Sequence, residues 1–273
     1  MNTKLSKEQI ETYQCDGFLL HRNFLSPDEV LELKTAELET LDEVKRTMGK
    51  KKIVGGNEWM KEGDSYYDTV FTQRVNLWRL SPVVKRYMQN PELGRMLCEL
   101  EGVDGYRVSQ DQLLIKEPFS NPTGWHLDNV FGHYTSWHSI AVWIALEDAT
   151  LENGCMWYVP GSKRFAKHDT NVSITQNLGD LFKAFPEMLQ ANPVPVPAKA
   201  GDCIFHNGMT AHGAGANMGH TRRIAAAGHY MPIGSLSNGK QGILPAEYFK
   251  TLKAGDVLEN DDWNPVVYVK EQL

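Results

Sequence analysis

The sequence lacks the long apolar segments and paired cysteines that mark membrane and disulfide-rich proteins. Its longest fully apolar run, Ile140–Leu146, is far shorter than the ~20 residues that a membrane-spanning helix needs, and its first residues contain no apolar signal segment. The four cysteines are scattered without a CxxC pair, which argues against a disulfide framework or a zinc knuckle. We therefore expect free thiols, no membrane partner, and a reducing, cytoplasmic compartment.

The sequence also has few clustered basic residues. Its formal net charge is −6, and no run of five basic residues occurs. The nearest approach, Lys50–Lys52, is expected to be an exposed turn. This charge balance argues against a nucleic-acid or an anionic-membrane surface. Composition does not predict the oligomeric state.

Residues 1–104 are predicted to be mostly helical. Ser6 and Gln9 form a capping box, and Gly17 is placed to end that first helix. A cap residue followed by proline marks three further helix starts, at Ser26–Pro27, Ser81–Pro82 and Asn90–Pro91.

After residue 105 the pattern changes to short alternating strands. Within residues 136–147, one predicted face is apolar and the other carries small residues around Trp143. The sequence therefore predicts a mainly β fold, a double-sheet barrel core over residues 105–235 buttressed by the N-terminal helices. Residues 161–197 are predicted to form a lid-like insertion and residues 236–273 a C-terminal extension, all within a single domain of residues 1–273.

A predicted strand over residues 221–230 places an arginine in unusual surroundings. Alternation puts Arg223 on the same face as Ala225, Ala227 and His229, and it turns Arg222 the opposite way. A guanidinium among small side chains suits bidentate capture of a carboxylate.

Candidate metal ligands lie in two segments. His126 and Asp128 are two residues apart and are expected to project from one face of a strand end. A histidine on another strand, His206 or His212, would complete a facial triad of the kind found in iron(II) oxygenases. The ligand types alone also suit a zinc hydrolase or isomerase.

Several motifs resemble the phytanoyl-CoA dioxygenase family of iron(II)- and 2-oxoglutarate-dependent oxygenases. They are the Asp-Gly-Phe of residues 16–18 and the segments 111–116, 124–128, 142–148, 151–162 and 212–223. The run from Glu-Asn-Gly to Pro-Gly-Ser and the spacing from His212 to Arg223 are the most specific of them.

The resemblance implies a double-stranded β-helix, or jelly roll, with iron(II) on His126, Asp128 and His212. The spacing of eleven residues to Arg223 favours His212 over His206 as the third ligand. It also implies 2-oxoglutarate as cosubstrate, with its far carboxylate on Arg223.

Three further positions correspond to the cosubstrate pocket of the family. Trp143 matches a tryptophan that lines the pocket, and Gln112 matches a position that contacts the cosubstrate. Ala214 stands where a serine commonly helps to bind the far carboxylate, and no replacement for that serine is assigned.

The implied reaction uses dioxygen to decarboxylate 2-oxoglutarate and to hydroxylate an unactivated C–H bond. Retention of Asp128 disfavours the halogenating variant, in which the carboxylate ligand is lost. We expect a small polar metabolite such as an amino acid, amine or phosphonate, with an acyl-CoA or a natural product as the alternative. A metal-binding jelly-roll protein without oxygenase activity is the alternative of another class. Candidate substrate residues are Asn129, His133, Trp137 and His229.

Overall fold

A computed structural model describes residues 1–48, 69–170 and 172–271 of the chain. The expected turn at Lys50–Lys52 lies outside these residues. The helices are α1 (Lys7–Asp16), α2 (Pro27–Met48), α3 (Pro82–Met88), α4 (Pro91–Glu101), α5 (Asp180–Ala184) and α6 (Ala246–Phe249).

The predicted helix starts are confirmed. The Ser6 hydroxyl accepts the Gln9 amide, the Gln9 side chain accepts the Ser6 amide, and Gly17 ends α1 with a positive φ of 83°. The Ser81 and Asn90 side chains cap α3 and α4 in the same manner, each before its first-turn proline. These local hydrogen bonds satisfy backbone groups that a helix end would otherwise leave unpaired.

Two antiparallel sheets form the β core. The strands are β1 (Phe18–His21), β2 (Thr72–Val75), β3 (Gly105–Lys116), β4 (Thr123–His126), β5 (Ile140–Ala145), β6 (Met156–Tyr158), β7 (Val194–Val196), β8 (Cys203–Asn207), β9 (His212–Ala214), β10 (Arg223–Pro232) and β11 (Val266–Val269). The larger sheet has the order β1-β8-β5-β10-β3-β11, with β2 also paired to β3, and the smaller sheet has the order β4-β9-β6-β7.

The larger sheet recruits strands from outside the predicted core of residues 105–235. From the helical part of the chain, β1 pairs with β8 and β2 pairs with β3. From the C-terminal extension, β11 pairs with the start of β3. The division of the chain into support, core and extension is therefore less sharp than the sequence predicted, because strands from all three parts share one sheet.

The two faces of β5 divide as predicted. Ile140, Val142 and Ile144 pack with residues of the N-terminal helices, in the largest apolar cluster. Trp143 and Ala145 belong to a second cluster between the two sheets. This alternation, repeated on β10, turns one face of the larger sheet toward the helices and the other toward the interior of the barrel.

The predicted insertion of residues 161–197 packs against β4, and its last residues form β7, an edge strand of the smaller sheet. The Trp125 amide donates to the Leu178 carbonyl oxygen at 3.2 Å, and the Trp125 ring lies 5.3 Å from that of Phe182. Ser173 and Ile174 line the main cavity. The insertion thus lies against the strand that ends at His126.

Within the described residues, no helix has the length and apolar character required to cross a bilayer.

Candidate metal centre and its cavity

His126 and His212 face each other across the smaller sheet. They are direct partners in the antiparallel pairing of β4 and β9, and their ring centres lie 4.1 Å apart. Cross-strand partners project from the same face of a sheet, so strand pairing alone brings these two imidazoles together.

Asp128 reaches the same point by a different route from the one predicted. The strand ends at His126, and Asp128 has helical dihedral angles (φ −69°, ψ −46°) at the start of a 3-10 turn over Asn129–Phe131. Its Oδ1 lies 3.5 Å from Nε2 of His126 and 3.5 Å from Nε2 of His212. The turn, and not strand alternation, aims the carboxylate at the histidines.

Backbone carbonyls orient both histidines. Nδ1 of His126 lies 2.9 Å from the Gly124 carbonyl oxygen, and Nδ1 of His212 lies 3.0 Å from that of Thr210. A carbonyl oxygen can only accept a hydrogen bond, so each Nδ1–H donates and Nε2 of each ring faces Asp128, where it would bind a metal ion after losing any proton it carries. This arrangement is typical of metal-binding histidines.

The electrostatics keep Asp128 ionised. Burial by itself would raise the pKa of this carboxyl, but the charge of His212 and hydrogen bonds from the neighbouring histidines hold it well below its usual range. Burial also lowers the pKa of His126, with a further contribution from His212. For His212 burial acts in the same direction, but Asp128 outweighs it and the pKa is raised.

This donor set fits a divalent transition metal. One ligand atom from each of the three residues can be chosen so that all lie within 4.8 Å of one another. Two imidazole nitrogens and one carboxylate oxygen form the facial set that suits iron(II), with the remaining positions open.

His206, the alternative third ligand, contacts the other oxygen of the carboxylate. Its Nε2 is 3.0 Å from Oδ2 of Asp128, whereas both triad histidines approach Oδ1. The geometry therefore favours the predicted choice of His212.

A cavity of about 520 Å³ adjoins the three ligands. Arg223 lines this cavity although its side chain is almost completely buried. Its Nε and Nη1 have no hydrogen-bond partner among the described residues. Burial lowers the pKa of Arg223 to about 10, so the guanidinium is still charged at neutral pH. A buried cation with free donors is the complement of a carboxylate ligand.

Gln112 and Trp143, the other predicted cosubstrate residues, line the same cavity as Arg223. Both are cross-strand partners of Ala227, one on each side of β10. The guanidinium carbon of Arg223 is 5.2 Å from the Trp143 ring centre. The small side chain of Ala227 thus leaves room between the amide and the indole.

The sequence reasoning missed two polar neighbours of this pocket. Thr123 is the cross-strand partner of Ala214 and lines the cavity, so it brings a hydroxyl to the position opposite the missing serine. Lys116 is fully buried and is the cross-strand partner of Arg223. Lys116 could have been found from the sequence, because alternation places this lysine on the inward face of a predicted strand.

Three of the four candidate substrate residues line the cavity: Asn129, His133 and His229. His229 lies next to the metal centre, with Nδ1 3.8 Å from Oδ2 of Asp128. The fourth, Trp137, is not among the described residues that line the cavity. It is 45% exposed, and its ring packs against His168 at 4.5 Å. The structure therefore does not bring Trp137 together with the other three candidates.

Comparisons with known proteins agree with this geometry. The chain is 25% identical to the phytanoyl-CoA dioxygenase domain-containing protein 1 homolog of Dictyostelium discoideum, over 95% of this chain and 96% of that protein. It is 29% identical, with a TM-score of 0.77, to the crystal structure of the non-heme alpha ketoglutarate dependent carbocyclase SnoK from nogalamycin biosynthesis, and the match covers 96% of each chain.

A second solved structure contains the relevant groups. The epimerase SnoN, in complex with Fe3+, alpha ketoglutarate and nogalamycin RO, is 25% identical with a TM-score of 0.71, over 96% of this chain and 98% of that one. The expected double-stranded β-helix is confirmed by these neighbours. Residues 13–225 match the family described as Phytanoyl-CoA dioxygenase (PhyH). The resemblance seen in the motifs is therefore confirmed, and the chain belongs to the phytanoyl-CoA dioxygenase family.

Proposed function

We propose that this protein is an iron(II)- and 2-oxoglutarate-dependent oxygenase that hydroxylates an unactivated C–H bond of a small polar metabolite. One observation carries the proposal: a single cavity contains both a three-ligand metal centre and a buried arginine with free donors. A chelating dicarboxylate needs these two features together, one for each end.

The residues divide into two binding sets. His126, Asp128 and His212 would hold iron(II). Arg223 would hold the far carboxylate of 2-oxoglutarate, with Trp143 beside the guanidinium and the Thr123 hydroxyl available in place of a serine at position 214, and Gln112 lines the same cavity. When bound, iron(II) with 2-oxoglutarate and dioxygen supplies the oxidising chemistry, which releases succinate and carbon dioxide as the substrate is hydroxylated. The protein contributes placement and exclusion of water.

The cavity wall supports a small substrate with neutral hydrogen-bonding groups. Among the described lining residues, Asp128 and Arg223 are the only acidic and basic side chains apart from histidines. Burial lowers the pKa of His133 to about 4, so this imidazole is neutral near pH 7. An unpaired charge is costly to bury, so the wall favours an uncharged polar group near the metal over a phosphate or a phosphonate. Within the expected class, amines and amino acids would have to keep their charged ends away from this wall.

A natural-product oxygenase is the second candidate. SnoK and SnoN, whose names place them in nogalamycin biosynthesis, are similar to this chain over nearly its whole length. A cavity of about 520 Å³ is within the usual size range of small-molecule sites, roughly 300–1,000 Å³. Measuring which substrate is turned over distinguishes a small-metabolite hydroxylase from a natural-product oxygenase, because the fold is compatible with both.

We propose a reducing, cytoplasmic compartment for the protein. All four cysteines are free, and three of them are buried. Free thiols are typical of proteins from reducing compartments.

The test is succinate release by purified protein supplied with iron(II), 2-oxoglutarate and dioxygen, measured with panels of small polar metabolites and of polycyclic natural products. We expect stimulation by one panel and no release by Asp128→Ala. Absence of release from the wild type under every condition, with iron bound, would reject the oxygenase assignment in favour of a metal-binding protein.

A further inference from the structure

A buried histidine and a buried tyrosine stand behind the carboxylate of Asp128. His206 projects from β8 of the larger sheet, and its Nε2 lies 3.0 Å from Oδ2 of Asp128. The hydroxyl of Tyr158, from β6 of the smaller sheet, lies 3.1 Å from the other ring nitrogen of His206. The two sheets therefore meet in a line of three polar groups that ends on the carboxylate.

The direction of these hydrogen bonds follows from their chemistry. The ionised carboxylate of Asp128 can only accept, so His206 donates through Nε2. A neutral imidazole that donates through Nε2 presents Nδ1 as an acceptor, which suits donation by the Tyr158 hydroxyl. The hydrogen bond to Asp128 therefore fixes the tautomer of His206, and that tautomer makes Nδ1 the acceptor for the Tyr158 hydroxyl.

Packing holds both members of this line in place. The Tyr158 ring stacks on Phe18 with centres 4.4 Å apart, and Tyr158 is the cross-strand partner of His212. His206 is itself the cross-strand partner of Phe18 and Ala141, in the interior of the larger sheet. Both side chains are buried, so the surrounding atoms restrict rotation of either ring.

We propose that His206, oriented by Tyr158, is a positioning residue that keeps Asp128 a one-oxygen ligand. The proposal rests on the metal site proposed above. Oδ2 is hydrogen-bonded to His206, and Oδ1 is the oxygen that lies 3.5 Å from each of the two triad histidines. A carboxylate that bound through both oxygens would occupy one of the three positions that a chelating cosubstrate and dioxygen need. The hydrogen bond thus preserves the open side of the centre.

The test uses cobalt(II) as a spectroscopic probe, bound to the purified metal-free protein. We expect His206→Leu to weaken cobalt(II) binding by about 10–100-fold, the usual effect of losing an outer partner of a metal ligand. Its visible absorption spectrum should also change as the carboxylate changes its binding mode. His206→Gln retains an N–H near the position of Nε2 and should restore most of the affinity and the wild-type spectrum. Tyr158→Phe should have a smaller effect in the same direction.

Two comparisons separate a positioning role from a structural one. Melting temperatures of the metal-free variants report loss of packing, whereas the increase in melting temperature on adding cobalt(II) reports metal affinity. Wild-type affinity and spectrum in His206→Leu, or equal losses in the Leu and Gln variants, would overturn the proposal. Normal cobalt(II) binding by His212→Ala would instead show that the metal site itself is wrong.

Discussion

Lys116 and Arg223 are direct partners across the antiparallel strands β3 and β10, so two cationic side chains lie side by side in the barrel wall. Lys116 donates to the carbonyl oxygens of Val70 at 3.1 Å and Asn121 at 2.6 Å. Burial, together with the neighbouring guanidinium, lowers the pKa of Lys116 to about 7. A carboxylate bound at Arg223 would offset this concentration of positive charge, which makes the pair a fitting end point for a dicarboxylate cosubstrate.

Arg223→Ala should raise the apparent constant for 2-oxoglutarate by on the order of ten- to a thousandfold. A hydrogen bond to a charged group is worth about 1.5–3 kcal/mol, and removing one partner of a buried charge pair costs roughly 2–5 kcal/mol. Iron(II) binding should change little, because no metal ligand is altered. Titration of 2-oxoglutarate by calorimetry, with iron content measured in parallel, checks both expectations.

Arg222→Ala is the matched control for this experiment. Arg222 precedes Arg223 but is exposed, so its loss should leave cosubstrate affinity unchanged. If Arg222→Ala proves defective and Arg223→Ala proves silent, the proposed cosubstrate site is wrong.

Lys116→Met should alter how stability depends on pH. The folded-state pKa of Lys116 is about 7, below its ordinary value of 10.5. The buried charge therefore destabilises the fold fully below pH 7, and that cost disappears as pH rises to about 10.5. The cost of burying this charge is at most several kcal/mol, since one pKa unit corresponds to about 1.4 kcal/mol. Methionine also removes the two hydrogen bonds of Lys116, and their loss offsets part of the stabilisation.

The measurement is the free energy of unfolding of both proteins in urea at several pH values from 6 to 10. The advantage of Lys116→Met over the wild type should shrink as pH rises. Parallel curves would show that Lys116 has an ordinary pKa in the fold.

Single-ligand variants should lose the metal and keep the fold. We expect His126→Ala, Asp128→Ala and His212→Ala to weaken cobalt(II) binding by more than about 100-fold, beyond the 10–100-fold typical of outer partners. Backbone hydrogen bonds form the strands of His126 and His212 and the 3-10 turn after Asp128, so circular dichroism spectra should match that of the wild type. His220→Ala, at an exposed position, is the control and should bind normally. Full metal occupancy in any of the three ligand variants would contradict the assignment.

Gly213→Ala should disturb the metal centre, whereas Gly215→Ala should not. A Cβ at position 213 would lie 2.8 Å from the backbone oxygen of Thr123, in the strand that carries His126. At position 215 the nearest atom, Cα of Gly154, would be 3.5 Å away. We expect Gly213→Ala to lower the free energy of unfolding by about 1–3 kcal/mol and to weaken metal binding. Gly215→Ala should stay within about 1 kcal/mol of the wild type, and equal effects of the two changes would refute the steric explanation.

Features that depend on contacts between residues close in the chain were predictable from the sequence. The caps at Ser6, Ser81 and Asn90 begin helices where expected, because a cap bonds to amides only two or three residues away. Alternation placed Trp143 and Arg223 on the inner faces of their strands, since side-chain direction in a strand has a period of two residues.

Residue chemistry and spacing also predicted the candidate ligands. Residue chemistry indicated His126 and Asp128 with either His206 or His212, and the family resemblance, with its spacing to Arg223, implied His212; the structure brings His126, Asp128 and His212 together. The backbone conformation that directs Asp128 toward the histidines was not predictable. The strand ends two residues earlier, and Asp128 lies at the start of a 3-10 turn.

Only the tertiary structure decided which distant groups become neighbours. It set His212 opposite His126 and placed His206 behind the carboxylate of Asp128. It paired Lys116 with Arg223 and left Trp137 outside the cavity. Each of these outcomes depends on strand order and register across the two sheets, which involve residues far apart in the chain. The amino-acid pattern by itself determined which side chains point inward, and the pairing of the strands determined what each of them meets there.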